Sequence, residues 1–144
     1  ILHGANNTIN YNNEIFRHSL KKLAPEGVNL VIDMIGGETA DDAIKTLTWE
    51  GKFVIIGFAG GKIPKIPANR LLLKSSSAIG LYWGQYAFIN PSLIGDSFSK
   101  LMKMYEEKKL NPKIGKVFKL EEASEALNFL LSRSNTGKIV LSCN

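Results

Sequence analysis

Apolar residues along the middle of the chain come in unbroken runs rather than in alternation. Val28, Leu30, Val31 and Ile32 form one run that ends at Asp33, and Phe53 to Ile56 form another that ends at Gly57. Runs of this kind suit strands covered on both faces, as in parallel sheets. Between them Ala40, Ala43, Ile44 and Leu47 recur at helical spacing and give a helix one apolar face. Thr39, with Asp42 three residues on, resembles a capping box at its start. Strand, helix and strand within about 30 residues predict a βαβ unit.

The flanking segments carry their own periods. Thr8–Tyr11 is a short strand candidate, and Ile15, Phe16, Leu20 and Leu23 stripe a helix that proline stops at Ala24–Pro25. Beyond a loop with Pro64 and Pro67, Ala68–Leu73 predicts a short helical turn and Ser77–Tyr82 a third strand. Asn90–Pro91 opens a long helix with Leu93, Ile94, Phe98, Leu101, Met102 and Tyr105 as its expected buried stripe. A strand (Ile114–Leu120), a helix (Ala123–Leu131) and a last strand (Lys138–Leu141) complete the pattern.

Chemistry is expected where the strands end. In open parallel sheets ligands bind beyond the carboxyl ends. Those ends read Asp33-Met34-Ile35-Gly36-Gly37 and Gly57-Phe58-Ala59-Gly60-Gly61. Each alone is compatible with an ordinary turn; two in succession point to an edge where a flat ligand lies against bare backbone.

Composition narrows the classes. With 144 residues, 44% of them hydrophobic, the chain suits one domain with a core. The net charge of +5 is concentrated locally: Lys52, Lys62, Lys65, Arg70 and Lys74 lie between Glu50 and Asp96 with no acid among them. Prolines and Leu71–Leu73 interrupt that run, so a solvated loop near an anionic cofactor is favoured over a nucleic-acid surface. The single Cys143 and the two histidines give no metal-ligand spacing, and His18 reads as a surface residue. No apolar stretch is long enough for a membrane span. A reducing compartment is therefore expected, cytoplasmic or mitochondrial. The start at Ile1 rather than Met reads as a trimmed chain.

The blocks INY (Ile9–Tyr11), GVNLVIDMIGG (Gly27–Gly37), GKFVIIGFAGG (Gly51–Gly61), KSSSAIGLYWG (Lys74–Gly84) and NTGKIVL (Asn135–Leu141) resemble, in that order and spacing, the C-terminal half of zinc-independent quinone oxidoreductases of the medium-chain dehydrogenase/reductase superfamily. The resemblance implies an α/β fold: a partial Rossmann-like parallel sheet with helices on both faces, keeping strands 4 to 6 and lacking the first glycine-rich βαβ. No G-x-G-x-x-G turn, which would hold the pyrophosphate, occurs in the chain. Residues 1–109 would belong to the dinucleotide-binding domain and 110–144 to a segment returning to the substrate (GroES-like) domain. With strands 1 and 2 missing, Thr8–Tyr11 would lose its sheet neighbours, and Asn6–Leu23 is expected to be displaced, poorly ordered or paired with another chain.

The same resemblance implies a function: NADPH-dependent hydride transfer to a quinone or an activated C=C. The implied cofactor-binding residues are Tyr11, Gly36, Gly37, Gly57, Phe58 and Ala59, with Leu81, Tyr82 and Trp83 beside the nicotinamide; Tyr82 and Trp83 are equally compatible with packing. Tyr11 would stand by the adenosine ribose and its 2′-phosphate. Lys138 is a further phosphate or substrate-side candidate. No catalytic residue and no metal ligand is assigned, because the cofactor carries the hydride, and Asp33 reads as a structural carboxylate. Strand Ser77–Tyr82 is the expected seam of a homodimer. The alternative is a non-catalytic dimerisation or binding module derived from such an enzyme.

Overall fold

The computed structural model describes residues 3–132 and 134–143. They form two compact units, divided between Pro91 and Ser92.

The first unit contains α1 (Phe16–Leu23), β1 (Val28–Asp33), α2 (Gly37–Lys45), β2 (Leu47–Ile55), α3 (Ala68–Leu73), β3 (Ser77–Gly80) and a short α4 (Tyr86–Ile89). Its three strands are parallel in the order β1-β2-β3. Val31 pairs with Phe53 and Phe53 with Ala78, so these three residues share a sheet face. On that face Phe53 is fully buried, against Ala40, Ala43 and Ile44 of α2 and against Leu47. Phe16 of α1 and Leu71 of α3 pack on the same cluster. Side chains of the opposite face are less protected, with Leu30 53% and Ile32 55% exposed. The mixed α/β class with parallel strands is the one expected. The helices that close its core lie on the Phe53 face.

Local differences have local causes. Leu47 belongs to β2, not to the helix: it pairs with Val28 and is fully buried there. β2 therefore begins well before Phe53. The ladder then slips, β1 moving from Val28 to Leu30 while β2 moves from Leu47 to Lys52, with Glu50 at φ 57° in the extra loop. The Thr39/Asp42 capping box does not form. Gly36 is the N-cap, and Thr39 instead donates its hydroxyl to the Gly36 carbonyl at 3.1 Å. The third strand closes at Gly80, so Leu81 and Tyr82 lie past its end.

Thr8–Tyr11 is not a strand: residues 8–10 have no regular structure and Tyr11 begins a turn. The expectation for the rest of Asn6–Leu23 is corrected. α1 is formed, and its Phe16 docks on the core, because an apolar stripe needs only the surface of α2 and not a neighbouring strand.

The second unit holds α5 (Pro91–Glu106), β4 (Ile114–Lys119), α6 (Ala123–Leu131) and β5 (Lys138–Ser142). β4 and β5 are parallel and joined through α6. Phe118 and Ala126 are buried, and the Phe118 and Phe129 rings lie 5.9 Å apart. The ammonium of Lys116 sits 4.4 Å from the Phe118 ring centre, within cation–π range. The expected buried stripe of α5 is corrected: Leu93, Phe98, Leu101, Met102 and Tyr105 are exposed. Periodicity puts residues on one face of a helix but does not supply a partner for that face.

Candidate functional site

The carboxyl edge of the three-stranded sheet begins at Asp33, which is only 8% exposed. Its Oδ1 accepts the N–H groups of Ile35 and Gly36, both at 3.1 Å, and Oδ2 accepts Gly36 again at 3.2 Å. The carboxylate thus closes an Asx-type turn and is engaged by backbone amides. Gly36 adopts φ 75°, and a Cβ there would meet the Lys62 carbonyl oxygen at 2.5 Å and Phe58 Cδ1 at 3.2 Å. Only glycine fits this position, and from it α2 departs.

Hydrogen bonds join the first turn to the second. The Ile56 N–H donates to the Asp33 carbonyl (2.7 Å), Ala59 to Met34 (2.9 Å) and Gly60 to Ile35 (2.8 Å). In return the Gly37 N–H donates to the Lys62 carbonyl at 2.9 Å. The Leu81 N–H donates to the Ile55 carbonyl at 2.9 Å, which brings the end of β3 onto the same edge. Gly36, Gly37, Gly57, Phe58, Ala59 and Leu81 are therefore gathered on one continuous rim, followed directly by Tyr82 and Trp83. Phe58, Tyr82 and Trp83 are exposed, and the Trp83 ring lies 5.9 Å from that of Tyr86. Gly57 has an open approach, since a Cβ there would come no closer than 3.7 Å, to the Met34 carbonyl oxygen.

Tyr11 stands elsewhere, on the turn before α1, 51% exposed. At Gly60, part of the second strand end, a Cβ would meet the Ile35 carbonyl oxygen at 2.9 Å; sequence reasoning missed the Lys62 carbonyl that caps the other turn. Backbone contacts of this kind leave no trace in residue type beyond the repeated glycines. Among the described residues no group of three or more His, Cys, Asp or Glu side chains gathers as a metal site. The rim offers bare backbone and the exposed rings of Phe58, Tyr82 and Trp83.

A two-turn rim on a parallel sheet occurs in many α/β proteins, and comparison with known proteins decides among them. The family model described as zinc-binding dehydrogenase matches residues 3–141. The chain belongs to that family. Within it the chain is of the quinone oxidoreductase-like kind. It is 43% identical over 140 residues to quinone oxidoreductase-like protein 2 of Bos taurus, covering 96% of this chain and 40% of that protein. It thus spans about two-fifths of the length of this relative. Among solved structures it superposes on a quinone oxidoreductase of Pseudomonas syringae with a TM-score of 0.81, at 24% identity, over 96% of this chain and 43% of that one. A mycobacterial protein solved in complex with NADPH matches with a TM-score of 0.78, at 23% identity, over 96% and 43% of the respective chains. These two likenesses are of fold. They agree with a segment of a dehydrogenase-family α/β domain.

Proposed function

We propose that this chain is part of an NADPH-dependent oxidoreductase of the quinone oxidoreductase type, which delivers hydride to a quinone or an activated C=C. The observation that carries the reading is the rim: two glycine turns hydrogen-bonded to each other at the carboxyl ends of neighbouring parallel strands, in a chain of this family. The residues present fit part of a dinucleotide. Gly57 offers open backbone, Ala59 an exposed position beside it and Phe58 an exposed ring, while Gly36, buried beneath Lys62 and Phe58, sets the turn.

Bound NADPH supplies the hydride. The chain's own work is binding and orientation: Gly37, Gly57, Phe58 and Ala59 support the dinucleotide, and Leu81, Tyr82 and Trp83 flank the nicotinamide. The positive charge of Lys62 and Lys65, on the loop that follows the second glycine turn, favours the 2′-phosphorylated cofactor. Residues 110–144 return to the substrate domain in this reading. Since no glycine-rich phosphate turn occurs in the sequence, the isolated chain holds NADPH weakly.

The experiment is an NADPH fluorescence titration of this chain beside a longer chain carrying the preceding residues of its relatives. Saturable binding in the longer form, weakened by Gly57→Ala, supports the proposal; binding by neither removes it. A second reading, a dimerisation module without cofactor dependence, draws on β3, which pairs with β2 on one side and leaves the other edge open among the described residues. Light scattering with and without NADPH separates the two readings.

A further inference from the structure

A cavity lies at the end of the sheet opposite the glycine rim, where β1 and β2 begin. It has a volume of about 180 Å³ and is lined by Arg17 and Lys21 of α1, Glu26 and Gly27 before β1, Lys45 and Thr46 at the end of α2, and Lys74 before β3. The length of β1 separates it from the glycine rim by about 20 Å.

Four cations from three chain segments converge there with one acid. Two of them are partly engaged. The Lys74 ammonium donates to the carbonyls of Lys45 and Leu47, which fixes it at the cavity wall, and Lys45 is paired with Asp42 at 2.8 Å. Arg17 and Lys21, one helical turn apart, remain exposed at the mouth. The ends of α1 and α2 also point here, and each contributes about half a negative charge. These partial charges, Glu26 and Asp42 together do not cancel the four cations, so a net positive cavity is left.

We infer that this cavity binds a phosphate group, free or as a small monoester. The volume is room for one tetrahedral dianion. The fixed Lys74 supplies a preset charge, and Arg17 adds the planar fork that matches phosphate oxygens in pairs. The site is independent of the nicotinamide proposal, and either can fail alone.

The test titrates inorganic phosphate into the 144-residue chain at constant ionic strength, following the amide signals of Gly27 and Thr46. The expected result is a saturable shift at both, with a Kd at least tenfold weaker in the Arg17→Gln/Lys21→Gln variant. Both residues are exposed, so that variant keeps the fold, and Lys21→Gln alone should give a smaller loss. Glycerol phosphate in a parallel arm tells the sources apart: tighter binding than phosphate identifies a monoester site, and weaker binding a free-phosphate site. Equal shifts from chloride, or phosphate binding unchanged in the double variant, overturn the inference.

Discussion

Both carboxylate oxygens of Asp33 accept the same Gly36 N–H, at 3.1 and 3.2 Å, and this bond holds the turn from which α2 starts. Removing the carboxylate leaves the buried Gly36 amide, and the more exposed Ile35 amide, without their acceptor. An unsatisfied buried donor costs about 1–3 kcal/mol. Asp33→Ala is therefore expected to lower the unfolding free energy by about 2–3 kcal/mol, and Asp33→Asn, which keeps one acceptor oxygen, by about 1 kcal/mol. Urea denaturation followed by circular dichroism measures both. Equal losses in the two variants would show that the hydrogen bonds do not set the cost.

The two glycine turns should respond in opposite ways to the same substitution. At Gly36 an alanine is strained by its φ of 75° and collides with the Lys62 carbonyl oxygen, so Gly36→Ala should cost about 2–4 kcal/mol. At Gly57 the added methyl meets only the Met34 carbonyl oxygen at 3.7 Å, and the lost chain entropy favours alanine by about 0.4–1 kcal/mol. Gly57→Ala should leave the melting temperature unchanged or higher while weakening NADPH binding in the longer chain tenfold or more. A variant that melts normally and binds NADPH normally removes Gly57 from the cofactor surface.

The sequence carried the βαβ unit and both turns because unbroken apolar runs, a 3.6-residue stripe and paired glycines are all local signals. It could not carry what depends on a partner. Leu47 has the helical spacing of Ala40, Ala43 and Ile44, yet its pairing with Val28 draws it into β2. Thr39 and Asp42 have the spacing of a cap, but Gly36 with its positive φ starts the helix earlier. The α5 stripe was legible as a stripe, and its exposure was not. The convergence of Arg17, Lys21, Lys45 and Lys74 was equally invisible, since they come together only through packing.

Two phenylalanines make that distinction measurable. Phe53 is 0% exposed and lies at the centre of the first unit's core, whereas Phe98 on α5 is 63% exposed. Phe53→Ala should cost about 3–5 kcal/mol through lost burial and an unfilled cavity. Phe98→Ala should stay within about 0.5 kcal/mol in this chain, helped by the better helix propensity of alanine. Chemical denaturation of the two variants gives the comparison. A loss above about 1.5 kcal/mol for Phe98→Ala would mean that α5 is covered in solution, most simply by a second copy of the chain.

The open edge of β3 gives the last test, and its geometry selects the residue. The Leu81 N–H points toward β2, where it meets the Ile55 carbonyl. Backbone direction alternates along a strand, so the Ala78 and Gly80 amides point away from β2, to the edge that a homodimer would use. Proline is tolerated on an edge strand when the amide it removes faces outward. Ala78→Pro should therefore keep the fold, losing no more than about 1 kcal/mol, while abolishing any dimer built on β3. Light scattering after size-exclusion chromatography reads the mass of both forms. A dimer that turns monomeric in Ala78→Pro assigns the seam to β3. A dimer that survives the substitution places it elsewhere, and a parent chain that is monomeric at every concentration shows that the edge stays unpaired.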